Sequence, residues 1–133
     1  MIHKDKCLVL DIDGTIVPTR GTNESYEDLQ PFPEMVQRIR EYREMGFYVI
    51  LYSSRNMKTY EGNLGLINAN TAKVLLNWLE KHDIPHDELH LGKPWVGRGG
   101  FYVDDKAIRP DEFLRHSYDE VLKIISPEDE SGQ

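Results

Sequence analysis

The sequence predicts an α/β domain built on a parallel sheet flanked by helices, and three observations predict it. Short apolar runs without polar alternation, Cys7-Leu8-Val9-Leu10, Phe47 to Tyr52 and Phe101-Tyr102-Val103, read as buried strands of a parallel sheet. Between them lie stretches whose apolar residues recur every three to four positions, as on a helix. The chain has 133 residues, 39% hydrophobic and 29% charged, a length and balance that fit one globular domain.

The elements follow in order. The first strand ends at Asp11. Residues Gly14 to Gln30 are polar and rich in turn formers, so they read as a loop. Pro33 opens a helix at its first turn, where a missing N–H costs nothing. Met35, Ile39, Tyr42 and Met45 form its core stripe, and Gly46 ends it. The second strand stops at Ser53-Ser54-Arg55. Asn56 to Asn68 reads as a second loop, and Thr71 to Lys81 as a helix with Val74, Leu75, Trp78 and Leu79 on one side. Glu88 to Leu91 is a short third strand leading into Gly92-Lys93-Pro94, and Phe101 to Val103 a fourth ending in Asp104-Asp105. Pro110 to Arg115 and Tyr118 to Ile125 read as short helices. The domain is expected over residues 1–125, with 126–133 a disordered acidic tail.

Composition excludes several functions. Sixteen basic against 23 acidic residues give a net charge of −7, which argues against a phosphate-tracking nucleic-acid binder and against an anionic membrane surface as partner. The single cysteine, Cys7, excludes an internal disulfide and reads as a small buried side chain. The polar start, Met1 to Lys6, is no signal sequence, and together these features point to the cytoplasm. His82, His86 and His90 lack the spacing and softer companions of a zinc site and read as solvated.

In parallel α/β sheets, ligands bind beyond the carboxyl ends of the strands. Here each predicted strand ends in a reactive residue. Asp11-Ile12-Asp13-Gly14-Thr15 places two carboxylates two residues apart before a turn. Ser53, with Ser54 beside it, offers a hydroxyl and backbone N–H groups suited to a phosphoryl oxygen. Lys93 supplies a compact cation to neutralise phosphate charge. Asp104 and Asp105 are adjacent carboxylates that repel one another, and a hard divalent cation resolves that conflict. Arg55 is a candidate for a second anionic group of a substrate. Tyr60 and Trp95 are candidates to wall the site.

The order of these motifs resembles the haloacid dehalogenase superfamily of phosphotransferases. Its pattern is an aspartate-x-aspartate-glycine-threonine motif after the first strand, a serine or threonine after the second, then a lysine, then an acidic pair. Asp11/Asp13, Ser53, Lys93 and Asp104/Asp105 match it in sequence, over about residues 5 to 110. A signalling receiver domain carries similar residues in another order, with the lysine last. More narrowly, Ser54-Arg55-Asn56-Met57, Thr59-Tyr60-Glu61-Gly62-Asn63, Gly92-Lys93-Pro94-Trp95 and Phe101-Tyr102-Val103-Asp104-Asp105 are similar to small phosphatases associated with capsular polysaccharide biosynthesis.

The resemblance implies a Rossmann-like fold and a phosphoric monoester hydrolase. It makes Asp11 the nucleophile that forms an aspartyl-phosphate and Asp13 the acid and base that moves the proton. It assigns Ser53, Ser54 and Lys93 to phosphate binding. Mg²⁺ would be held by Asp11, the Asp13 carbonyl and the acidic pair, with Asp105 the direct ligand and Asp104 behind it. The short stretches at Gly14 to Pro33 and between Lys93 and Asp104 leave no room for a large cap domain. The expected substrate is a sugar phosphate or another small phosphorylated metabolite, and a homo-oligomer remains open. Two alternatives stand beside this: a nucleic-acid 3′-end phosphatase, and a non-catalytic phosphate-binding module of the same fold.

Overall fold

The computed structural model describes residues 5–126. The chain forms two compact units, one ending at Trp95 and the other beginning at Val96. The expected tail from 127 onward lies outside the described residues.

The first unit holds a three-stranded parallel sheet in the order β1 (Cys7–Asp11), β2 (Tyr48–Ser53), β3 (Glu88–Leu91). Helix α1 (Pro33–Glu44) connects β1 to β2, and α2 (Leu64–Lys81) connects β2 to β3, so the expected α/β alternation holds. Register places Asp11 opposite Tyr52 and Ser53 opposite Leu91, which brings the carboxyl ends of all three strands to one rim. Asp87 fixes the start of β3: its carboxylate accepts from the Val49 N–H at 2.8 Å and pairs with Arg43 at 2.7 Å.

The core of this unit is apolar and closely filled. Leu10, Val49 and Leu51 of the strands, Ile12 just past β1, Met35, Ile39 and Tyr42 of α1, and Ile67, Leu75, Trp78 and Leu79 of α2 are all buried. Met45, expected in the α1 stripe, is instead exposed, because the helix has already ended and Met45 is its C-cap. Gly46 follows in the left-handed region at φ +99°, which glycine adopts without a Cβ penalty. Strand β1 alternates rather than being buried on both faces. Leu10 points inward while Val9 and Cys7 are exposed, so Cys7 is not the buried side chain its apolar neighbours suggest.

Helix α2 begins at Leu64, seven residues before the expected start at Thr71. Asn63 is the reason: its side chain accepts from the Leu66 N–H at 3.1 Å and caps the first turn. Ile67 and Thr71 then extend the buried stripe already marked by Leu75 and Trp78. His82 is not solvated as expected. Its ring packs on Trp78 with centroids 4.6 Å apart, and burial lowers its pKa, aided by the charge of Lys81. His86 bonds the Ile84 carbonyl and His90 bonds Glu88.

The second unit contains α3 (Pro110–Arg115) and α4 (Tyr118–Ile125), both as expected, and no strand among its described residues. Phe101 and Val103 are 78% and 88% exposed. The fourth strand expected there does not form: a strand needs a neighbour for its ladder, and this unit supplies none. No helix among the described residues is long and apolar enough to cross a membrane.

Candidate active site at the strand ends

Beyond β1 the chain turns sharply. Ile12, Ile16 and Val17 are buried, and the polar residues between them are held outward. The Ile12 carbonyl accepts from the N–H groups of Thr15, Ile16 and Val17 at 3.1, 2.9 and 3.3 Å, and the Gly14 N–H reaches the Val17 carbonyl at 2.7 Å. Gly14 sits at φ +88°, the conformation that lets the turn close. Asp11 and Asp13 flank the buried Ile12, and the strand's alternation stops at Asp11 because the chain turns there.

Asp11 is partly exposed and meets two groups. Lys93 Nζ stands 3.4 Å from Oδ1, and the Thr15 hydroxyl donates to Oδ2 at 3.4 Å. Lys93 is placed there by the backbone, since its N–H donates to the Ser53 carbonyl at 3.0 Å where β2 and β3 end together. Burial pushes the Asp11 carboxyl above the usual carboxylate range, and Lys93 offsets this only in part. The nearby negative charge of Asp13 adds to the rise.

Ser53 is buried, and its hydroxyl oxygen accepts from the Arg55 N–H at 3.0 Å. That turn aims the next side chain. Arg55 lies almost fully out of water and grips Asp13 with two hydrogen bonds, Nη2 to Oδ1 at 2.7 Å and Nε to Oδ2 at 3.2 Å. The Tyr26 ring stacks 3.8 Å from the guanidinium carbon. Arg20 also stands over Tyr26, 4.8 Å from the ring centroid. Arg55 Nη1 is buried with no hydrogen-bond partner, a penalty of about 1–3 kcal/mol in general terms. Tyr26 is held in turn by a single 3-10 turn at Tyr26–Asp28, whose end is fastened where Trp78 Nε1 donates to the Leu29 carbonyl at 2.9 Å.

The structure thus gathers Asp11, Asp13, Ser53, Arg55 and Lys93 at one rim, with Ser54 next to Ser53. Arg55, a candidate for substrate contact, is directed instead at Asp13. Tyr60 is half-buried within successive turns from Ser54 to Asn63, fixed to α2 where Thr71 donates to Asn56 at 2.7 Å. Trp95 is 46% exposed, with Lys58 Nζ 5.2 Å from its ring centroid. Two surface hollows of this unit are lined by α2, β3, the turn between them and Arg43 of α1, and none of Asp11, Asp13, Ser53, Arg55 and Lys93 lines either.

Asp104 and Asp105 belong to the second unit and are exposed. The Asp104 carboxylate accepts from the Lys106 N–H at 2.9 Å and is thereby tied into a local turn. Among the described residues, no three His, Cys, Asp or Glu side chains form a group able to hold a metal. The first unit's own donors do suit a hard cation. They are oxygen atoms only, the Asp11 carboxylate beside Lys93 among them.

No family model matches the chain, and no curated protein matches it. A crystal structure of an MCSG target from Vibrio cholerae superposes with a TM-score of 0.87 at 40% sequence identity, over 92% of this chain and 98% of that one. The chain belongs to the same family as this Vibrio cholerae protein. Likeness at that identity over nearly both full lengths is likeness of fold and of sequence together.

Proposed function

We propose that this protein is a capless phosphomonoester hydrolase of the haloacid dehalogenase superfamily, dependent on Mg²⁺ and working through an aspartyl-phosphate. The observation that carries the reading is Asp11 at the end of β1, flanked by Lys93 and Thr15, with a second carboxylate on Asp13 facing the same rim.

An Asp11 carboxylate oxygen attacks phosphorus, forming an acyl-phosphate bond as the bond to the ester oxygen breaks. Asp13 gives its proton to the departing alkoxide. A water then attacks phosphorus and passes its proton to Asp13. The acyl-phosphate P–O bond breaks, releasing orthophosphate and restoring Asp11. Lys93 neutralises phosphoryl charge, and the Ser53 hydroxyl, whose oxygen already accepts a bond, has its proton to donate. Asp11 and the Asp13 carbonyl would hold the cation. When bound it supplies the positive charge that lets an anionic carboxylate approach an anionic phosphate.

We assign a sugar phosphate or another small phosphorylated metabolite as substrate, in the cytoplasm, with capsule polysaccharide biosynthesis the setting that the resemblance suggests. The span 14–32 carries one 3-10 turn and no further helix or strand, which supports the capless assignment. The test is phosphate release from an aryl phosphate with and without chelator. Release that needs the cation and disappears in Asp11→Asn supports the reading. Release unaffected by both contradicts it.

A further inference from the structure

We propose that Arg55 is the positioning residue of the acid and base Asp13, and does not hold substrate. This rests on the hydrolase reading above and deepens it.

A proton donor works only when its acidic oxygen is aimed at the leaving group. Asp13 lies on a turn, where a carboxylate is free to rotate about two side-chain bonds. Arg55 removes that freedom, because its planar fork meets both carboxylate oxygens at 2.7 and 3.2 Å. The fork is itself immobilised. Its stem is buried, its backbone N–H is bonded to Ser53, and Tyr26 covers its face at 3.8 Å. An arginine meant to capture a substrate anion would present donors to solvent. Here the side chain is 3% exposed, and the two donors that find partners both go to Asp13. The arrangement also gives the aromatic ring at Tyr26 a role. A flat face is the surface on which a guanidinium can be held in plane.

A positioning role for Arg55 has a kinetic signature that simple structural support lacks. An aryl phosphate has a stable leaving anion and gains little from a proton donor, whereas an alkyl phosphate depends on one. The experiment measures kcat and KM for 4-nitrophenyl phosphate and glycerol phosphate in the wild type, Asp13→Asn, Arg55→Gln, Arg55→Lys and the Asp13→Asn/Arg55→Gln double variant. Arg55→Gln is expected to lower kcat/KM, which reports the leaving-group step, about tenfold or more on the alkyl ester beyond its loss on the aryl ester, while kcat on the aryl ester falls with the shared hydrolysis of the acyl-phosphate. The double variant is expected to lose no more than Asp13→Asn alone, because the two residues act as one unit. Arg55→Lys keeps the charge but not the fork. It is expected to show the same leaving-group bias with a near-native melting temperature, so the test survives if Arg55→Gln fails to fold. Equal losses of kcat/KM on both esters, or losses that multiply in the double variant, would overturn the assignment and make Arg55 a substrate ligand. A wild type silent on both esters overturns the hydrolase reading itself, an outcome distinct from either result for Arg55.

Discussion

Lys93 Nζ stands 3.4 Å from the Asp11 carboxylate across the ends of two strands that are not neighbours in the sheet. β2 lies between them, and its terminal Ser53 carbonyl receives the Lys93 N–H. The central strand therefore sets the distance between the proposed nucleophile and its cation, which ties the chemistry to the register of the sheet.

Removing that cation should harm turnover more than folding. Lys93→Met leaves Asp11 without its charged partner and pushes the carboxyl further above its ordinary range. The loss of kcat is expected to be about 10²–10³-fold, as for removal of one electrostatic stabiliser. Steady-state kinetics beside a thermal melt separate the two effects.

Asp11 should cost the metal-free protein stability. Its folded-state pKa is raised, chiefly by burial, so the native state holds the proton more tightly than the unfolded chain does. The group's contribution is then most favourable below the ordinary carboxylate value and is lost as pH rises through the raised value. Asp11→Asn is expected to raise the neutral-pH stability of the metal-free protein by about 0.5–2 kcal/mol, the usual scale where function is kept at the expense of stability. The gain should vanish in acid. Urea melts at several pH values check both the sign and the window.

Asp13→Asn should abolish most turnover on alkyl esters, by about 10²–10⁴-fold, while Mg²⁺ affinity stays near that of the wild type. The carbonyl assigned to the cation is untouched by the substitution. Isothermal titration with Mg²⁺ beside kinetics provides the check, and a collapse of affinity would move the Asp13 carboxylate into the metal's coordination.

Gly92 tests how the lysine is delivered. Its backbone sits at φ +85°, and an added Cβ would lie 2.6 Å from Leu64 Cδ2. Gly92→Ala is expected to destabilise by about 1–3 kcal/mol from backbone strain. Pairing it with Leu64→Ala should relieve the contact and leave the strain. Chemical denaturation of the single and double variants measures the two parts.

Strands β1 to β3 and helix α1 were legible because local signals agree with the tertiary outcome: apolar runs end at chemically distinct residues, and Pro33 marks a helix start. The first turns of α2 were hidden by Gly65, Asn68 and Asn70, which weaken the periodic pattern, although Asn63 was a readable cap. The run Phe101 to Val103 has strand propensity, yet a strand is a property of a pair, and one segment cannot announce its partner. Cys7 misled for a related reason, since an apolar run does not reveal which of its faces is covered. Asp11, Asp13, Ser53 and Lys93 were all found as strand-end residues. The Asp13 to Arg55 pair was not, because its members are 42 positions apart and arginine has many partners available. The signal was there in the turn Ser53-Ser54-Arg55, which follows the strand paired with β1 and so must bring Arg55 alongside the residues after Asp11.

The most direct measurement is identification of the phosphorylated residue. Asp13→Asn with Mg²⁺ and 4-nitrophenyl phosphate should accumulate the intermediate, because the aryl group leaves unaided while water lacks its base. Acid quench, proteolysis and mass spectrometry are expected to find one base-labile phosphoryl group on the peptide carrying Asp11, and none when chelator is present. A phosphoryl group on any other residue, or turnover with no covalent species at all, would contradict the account.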